Sequence, residues 1–266
     1  MKQKLNIILN SAVLYILAFL LTTIIHELSH AFFGLLNNSD PILYHNAVHH
    51  LSTDLLSIKQ QLIIALAGPV ASLLQGIIIG IVFLKTRKQG LLSLFLLWFS
   101  VLGFINFLGY LMTGPIFKNG DIGKVFLLLN SPLFLQIMIA LIGAAILLFI
   151  AYKLTSPFLN FSYEKKWVES KKARKNFSFL IIILPWLIGS FIVTLLYLPI
   201  IAIVSIIYPI MSGMIFIFPW QNAQRIENVK LSNDKKIGEI SFLSISLLAL
   251  LIIVFRFVLA PGIPLY

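Results

Sequence analysis

The stretch IIHELSHAFFG, residues 24–34, lies inside a run that is otherwise apolar from about residue 8 to residue 36. A helix built for lipid gains nothing from two histidines and a glutamate within five positions. Ionisable groups in a bilayer cost several kcal/mol together unless they face protein and have a partner. With five His and five Glu in 266 residues, an HExxH pattern arises by chance roughly twice in a thousand such chains, so coincidence is a poor account. On a helix, positions i and i+4 lie one above the other, which sends the His26 and His30 imidazoles out of one face at a spacing that suits one tetrahedral zinc. Glu27 follows the first of them and can serve as general base toward a water beside the metal. The alternative is a structural cluster in which the three groups bond only to neighbouring helices.

The rest of the chain sets the motif in a membrane. Hydrophobic residues make up 59% and charged residues 11%, outside the range of soluble globular domains. About 20 helical residues cross the hydrocarbon core. Seven stretches meet that length: 8–36, 62–84, 91–113, 133–156, 177–197, 199–219 and 240–260. The expected fold is all-α and polytopic, with about seven transmembrane helices, in the cell membrane. The fifth and sixth stretches are barely separated, with Pro199 near their joint, so they form a tight hairpin or one broken element. The basic start MKQK and the apolar run after it resemble a signal peptide. With no small-residue cleavage pattern and the polar cluster inside the run, a retained helix is expected.

The net charge of +11 raises nucleic acid as a partner, and the distribution of charge argues against it. Sixteen of the 20 Lys and Arg fall in segments 1–7, 85–90, 153–176 and 220–239, and three (Lys59, Lys118 and Lys124) fall in the alternate set. That bias predicts a cytoplasmic N-terminus, with the basic loops facing anionic lipid. The last, Arg256, is expected to snorkel to an interface. The basic loop holding YEKKWVESKKARK, 163–175, reads as solvated or lipid-surface chain.

Absence of cysteine means that any zinc site uses His, Asp or Glu. The motif lies about eight residues, or roughly 12 Å, before the non-cytoplasmic end of its helix, too far from the cytoplasmic carboxylates. Asp40, Asp54 and Asp121 remain as third ligands, with His45, His49 and His50 as nitrogen alternatives. Asp121 is favoured because it follows the third helix, whose end meets the end of the first on the same side. The histidines of YHNAVHH, 44–50, are the main competitor.

At this point the chain resembles the site-2 protease family of intramembrane zinc metallopeptidases. HELSH in a membrane helix, AGPVAS at 67–72 in the next, and Asn106, Pro115, Gly120 and Asp121 about the third carry the likeness. The resemblance implies zinc on His26, His30 and Asp121, Glu27 as catalytic base, and hydrolysis of peptide bonds in membrane-anchored proteins or membrane-bound peptides. It covers about residues 10 to 130. Residues 1–132 are then a metalloprotease core, and 133–266 further membrane helices in the same structural unit. The chain departs from the family in placing Asn106 well upstream of the proline and glycine before the aspartate. It also departs in putting the motif nearer the outer face. Gly68 and Pro69 serve close packing or a substrate groove, and Asn106 and Gln75 serve as interhelical hydrogen-bond partners or substrate contacts.

The longest extramembrane segments hold about 20 to 25 residues, so substrate choice falls to the helices or to a regulatory membrane partner. Two other functions compete. A ZIP-like divalent metal transporter would want proline at position 29, where Ser29 stands, and a second metal-binding helix. An inactive protease-like binding or immunity protein would not need Glu27.

Overall fold

The computed structural model describes residues 2–86, 89–198 and 204–265. Among the described residues, six helices are long and apolar enough to cross a membrane: α1 (Lys2–Leu36), α2 (Ile58–Lys85), α3 (Leu91–Thr113), α5 (Leu133–Leu159), α6 (Lys171–Leu196) and α9 (Phe242–Leu259). A short α4 (Asp121–Leu128) follows α3. The sixth expected span, 199–219, begins on residues outside the described ones, Pro199 included. Its described part is α7 (Val204–Ser212), a tight turn of helix at Gly213–Phe216, and α8 (Ile217–Asn222).

Local chemistry sets the helix ends. Asn38 adopts a φ of 57°, and the Ser39 N–H reaches back to the Gly34 carbonyl at 3.0 Å, which stops α1. At the start of α2, Ser57 and Gln60 form a reciprocal capping box, which carries the helix four residues upstream of its apolar run.

The chain between α1 and α2 departs from an all-helical plan. Strands β1 (Pro41–Leu43) and β2 (Val48–His50) form an antiparallel hairpin, and β3 (Ile263–Pro264) from the C-terminal end pairs with the other edge of β1.

The α1 helix is the middle of the bundle and packs against α2, α3, α6 and α9. In its most apolar window 72% of it is buried within the protein, against 11% for α5. Polar side chains along α1 are therefore met by protein and not by lipid. Asn6 and Asn10 donate to the carbonyls of Gly238 and Ile237, Ser11 to that of Ile181, and Thr23 bonds the Tyr197 hydroxyl. Beneath the motif, Tyr15 stands edge-on to Trp98, which packs on Phe158 and Phe216.

The segments rich in Lys and Arg meet at one end. Besides the Asn6 bond, Ser232 donates to the Gln89 carbonyl, Arg174 to that of Gln224, and Asn160 accepts from the Lys230 N–H. The hairpin and β3 lie at the other end. Arg256, half-buried, donates to the carbonyl of Leu196, the last residue of α6, at 3.1 Å.

Small residues bring α2 and α3 together along Ser72, Gly76 and Gly80 on one helix and Ser100 and Gly103 on the other. Ser100 donates to the Gly76 carbonyl at 2.7 Å. A Cβ on Gly103 would lie 2.7 Å from the Ser72 carbonyl oxygen and 2.8 Å from the Gly76 nitrogen, both backbone atoms that cannot swing aside. Overpacking of this kind costs about 1–3 kcal/mol, more than the gain of up to about 1 kcal/mol from alanine in a helix. Gly103→Ala is therefore expected to lower the thermal unfolding midpoint in detergent; an unchanged midpoint would show that the two helices can part at no cost.

Candidate metal centre

The site is built by three elements. α1 supplies His26 and His30 from successive turns, both buried. α4 supplies Asp121 from its first residue, and a compact turn over residues 113–120 aims it back at α1. In that turn the Gly120 N–H bonds the Phe117 carbonyl. A Cβ on Gly123 would fall 1.9 Å from that same carbonyl oxygen, so only glycine lets the turn press against α4.

The His26 Nε2 lies 3.0 Å from Asp121 Oδ2 and 3.1 Å from His30 Nε2, and His30 Nε2 lies 3.3 Å from Asp121 Oδ2. Zinc bonds of about 2.0 Å in a tetrahedron give ligand-to-ligand edges of about 3.3 Å, so the triangle has the dimensions of one face of such a site.

The outward nitrogens fix what the inward ones carry. His30 Nδ1 is 2.7 Å from the Ile64 carbonyl, an acceptor only, so its proton sits there and its Nε2 is bare in the neutral ring. Ser72 donates its hydroxyl hydrogen to the Gly68 carbonyl and thereby accepts from His26 Nδ1 at 3.2 Å. Two imidazole lone pairs and a carboxylate oxygen then converge on one point. Such a group is repulsive without a cation at its centre, and His, His and Asp form a donor set suited to zinc.

Tyr110 on α3 stacks on the His26 ring, with centroids 5.0 Å apart and planes 10° from parallel. Glu27 is 9% exposed and within electrostatic reach of both histidines and Asp121. Gly68 faces the two nitrogens: a Cβ there would be 2.3 Å from His30 Nε2 and 2.7 Å from His26 Nε2. Gly68→Ala is expected to weaken zinc binding at least tenfold in competition with a chelating dye. The circular dichroism spectrum of the metal-free variant, expected to match that of the unaltered protein, separates loss of the metal site from loss of the fold. Retained affinity would place the metal elsewhere.

The other candidate ligands lie apart, and His26, His30 and Asp121 form the one such cluster among the described residues. Asp40 accepts from the Ser52 hydroxyl, Asp54 and His49 are exposed, and His45 is buried edge-on to Tyr197 and Phe255. His50 bonds Ser39 Oγ at 2.7 Å through Nδ1. Burial above all, with the positive charge of Lys124, pushes its imidazole down to about 4.

Of the residues with two readings, Gln75 donates to Thr22 Oγ1 and the Phe99 carbonyl, and Asn106 to the Tyr208 hydroxyl at 3.0 Å, both between helices. The sequence alone leaves Ile64, Ser72 and Tyr110 without roles. Ser72 ends the AGPVAS stretch and lies one turn past Gly68, a spacing that could have pointed to it; Ile64 acts through a backbone carbonyl that no side-chain pattern reveals. Comparison of the chain with family models, with curated proteins and with solved structures finds no match.

Proposed function

We propose that this chain is an intramembrane zinc metalloendopeptidase of the site-2 protease kind, resident in the cell membrane with its N-terminus in the cytoplasm. The observation that carries the reading is the convergence of the two Nε2 atoms and Asp121 Oδ2 within 3.3 Å of one another, with both outward nitrogens hydrogen-bonded. A zinc ion bound there would polarise a peptide carbonyl and bring the pKa of a water near 7. Glu27 takes a proton from the attacking water on its carboxylate and gives it to the departing amide nitrogen as the C–N bond breaks. Ser72 and the Ile64 carbonyl hold the two imidazoles in the required tautomer, and Tyr110 keeps the His26 ring in plane. The substrate's own helix must unwind before its carbonyl is free, which favours helix-breaking segments or short membrane-bound peptides.

Seven crossings fit the contacts at the two ends. Asn6 and Asn10 at the start of α1 bond residues just before α9, and β1 just after α1 pairs with β3 just after α9. The two helices therefore run the same way, which requires an odd number of crossings between them. α2, α3, α5 and α6 make four, and the broken run through α7 and α8 makes the fifth. The basic segments then share the cytoplasmic side, and the metal cluster lies toward the hairpin side.

A metal transporter wants a second metal-binding station, and the described residues gather one cluster. The test is cleavage of a membrane-anchored reporter by the purified protein in liposomes. Cutting is expected to stop with a zinc chelator and return with zinc; chelator-insensitive cutting, or none by zinc-loaded protein across a panel of helix-destabilised reporters, would refute the reading.

A further inference from the structure

Beyond the cluster, His50 rests on α1 one turn past His30, and Lys124 stands one turn along α4 from Asp121. Gly34 follows His30 by one helical turn on the same face of α1, and a Cβ on it would lie 2.6 Å from His50 Cε1. The His50 ring thus rests on α1 directly past His30. Its Nδ1 is held by Ser39, and among the described residues no hydrogen bond occupies its Nε2. Lys124 follows Asp121 by three positions on α4, the spacing that puts both on one side of that helix. The charge of Lys124 acts on His50, and His30 lies one helical turn before the Gly34 on which the His50 ring rests, so the three stand about one mouth.

Lys124 differs from the other lysines of this end. Lys59 and Lys118 are exposed, whereas Lys124 is half-buried. No carboxylate lies within 4 Å of its ammonium among the described residues. A partly buried cation without a counter-ion is costly, and here the missing anion is not supplied by the chain. Charge at the site points the same way. Two neutral imidazoles, two carboxylates and a divalent metal sum to zero, and Lys124 leaves the mouth with one positive charge in excess.

We infer that Lys124 and His50 form a carboxylate-binding subsite, so that the preferred substrate carries an anionic group on the hairpin side of the bond to be cut. This rests on the metallopeptidase reading. The carboxylate is either a peptide C-terminus or an acidic side chain, and the two call for the same recognition: an ion pair to Lys124 and a hydrogen bond from His50 Nε2–H.

The experiment measures binding of three succinyl hydroxamates to the zinc-loaded protein in detergent. One is coupled to alaninamide and is neutral, one to alanine with a free C-terminal carboxylate, and one to the α-amide of aspartic acid. At least one charged probe is expected to bind about tenfold tighter than the neutral one, as a charge-assisted bond implies, and which one does so identifies the source. The preference should fall toward one in Lys124→Met, fall partly in His50→Gln, and persist in Lys124→Arg, which also guards against a misfolded methionine variant. Equal binding of the three probes by the unaltered protein, or a preference that survives Lys124→Met, would overturn the subsite while leaving the metal centre standing. Failure of all three to bind would overturn the metal centre itself, and the subsite with it.

Discussion

Replacing Asp121 with alanine is expected to reduce bound zinc from one ion per chain to almost none after dialysis, and His26→Ala or His30→Ala to do the same. Each substitution removes one of three donors whose atoms lie 3.0–3.3 Å apart. Two donors on a single helix turn make a weak chelate, and a third from a different element closes it. Asp54→Ala and His49→Ala serve as controls, since both residues are exposed and apart from the cluster. They are expected to keep full zinc content. A zinc ion held by these residues would couple α4 to α1, so zinc should raise the unfolding midpoint of the unaltered protein and leave that of Asp121→Ala unmoved. Zinc retained by Asp121→Ala would exclude this carboxylate as a ligand.

The second large effect belongs to Glu27. Glu27→Gln keeps the size and the hydrogen-bonding shape of the side chain but cannot accept a proton from water. Loss of a general base removes roughly 10²–10⁴-fold in rate. Cleavage of the reporter should fall by at least that much while zinc content stays at one per chain, because Glu27 is not among the three converging donors. That pairing of outcomes separates chemistry from metal binding. Loss of zinc together with activity would make Glu27 a ligand, and unchanged cleavage would remove it from the mechanism.

Much of this arrangement is legible in the order of residues alone. HELSH declares its two imidazoles by spacing, the depth of the motif in its helix narrows the candidates for a third ligand to few residues, and the direction of the first and third helices favours Asp121, which the structure brings to the cluster. The parts that stay hidden have physical reasons. Each strand of the small sheet has three residues or fewer, too short for alternation to register, and β3 pairs with β1 across more than 200 positions. The tautomer of His30 depends on the Ile64 carbonyl, a group every residue has. Tyr110 reads as one more aromatic in an apolar helix until its ring is found parallel to His26. The stretches 177–197 and 199–219 read as a tight hairpin or one broken element; their joint at Pro199 lies outside the described residues, and the described part of the second is interrupted at Gly213–Phe216.

The basic loop 163–175 finds its place in packing as well as charge. Trp167 stacks on Phe177, and Arg174 is buried and donates to the Val168 carbonyl. Lys165, Lys166, Lys171 and Lys172 remain exposed at the end where the other basic segments gather, as expected of a solvated or lipid-surface loop, and Lys175 lies over the Trp220 ring.

The most direct test of the central claim is the X-ray absorption spectrum of the zinc-loaded protein at the zinc edge. The account predicts four-coordinate zinc with two imidazole nitrogens and oxygen donors, all at about 2.0–2.1 Å. In Asp121→Ala, whatever zinc remains should lose the carboxylate contribution. A six-oxygen shell, or one without the outer-ring scattering of imidazole, would contradict it.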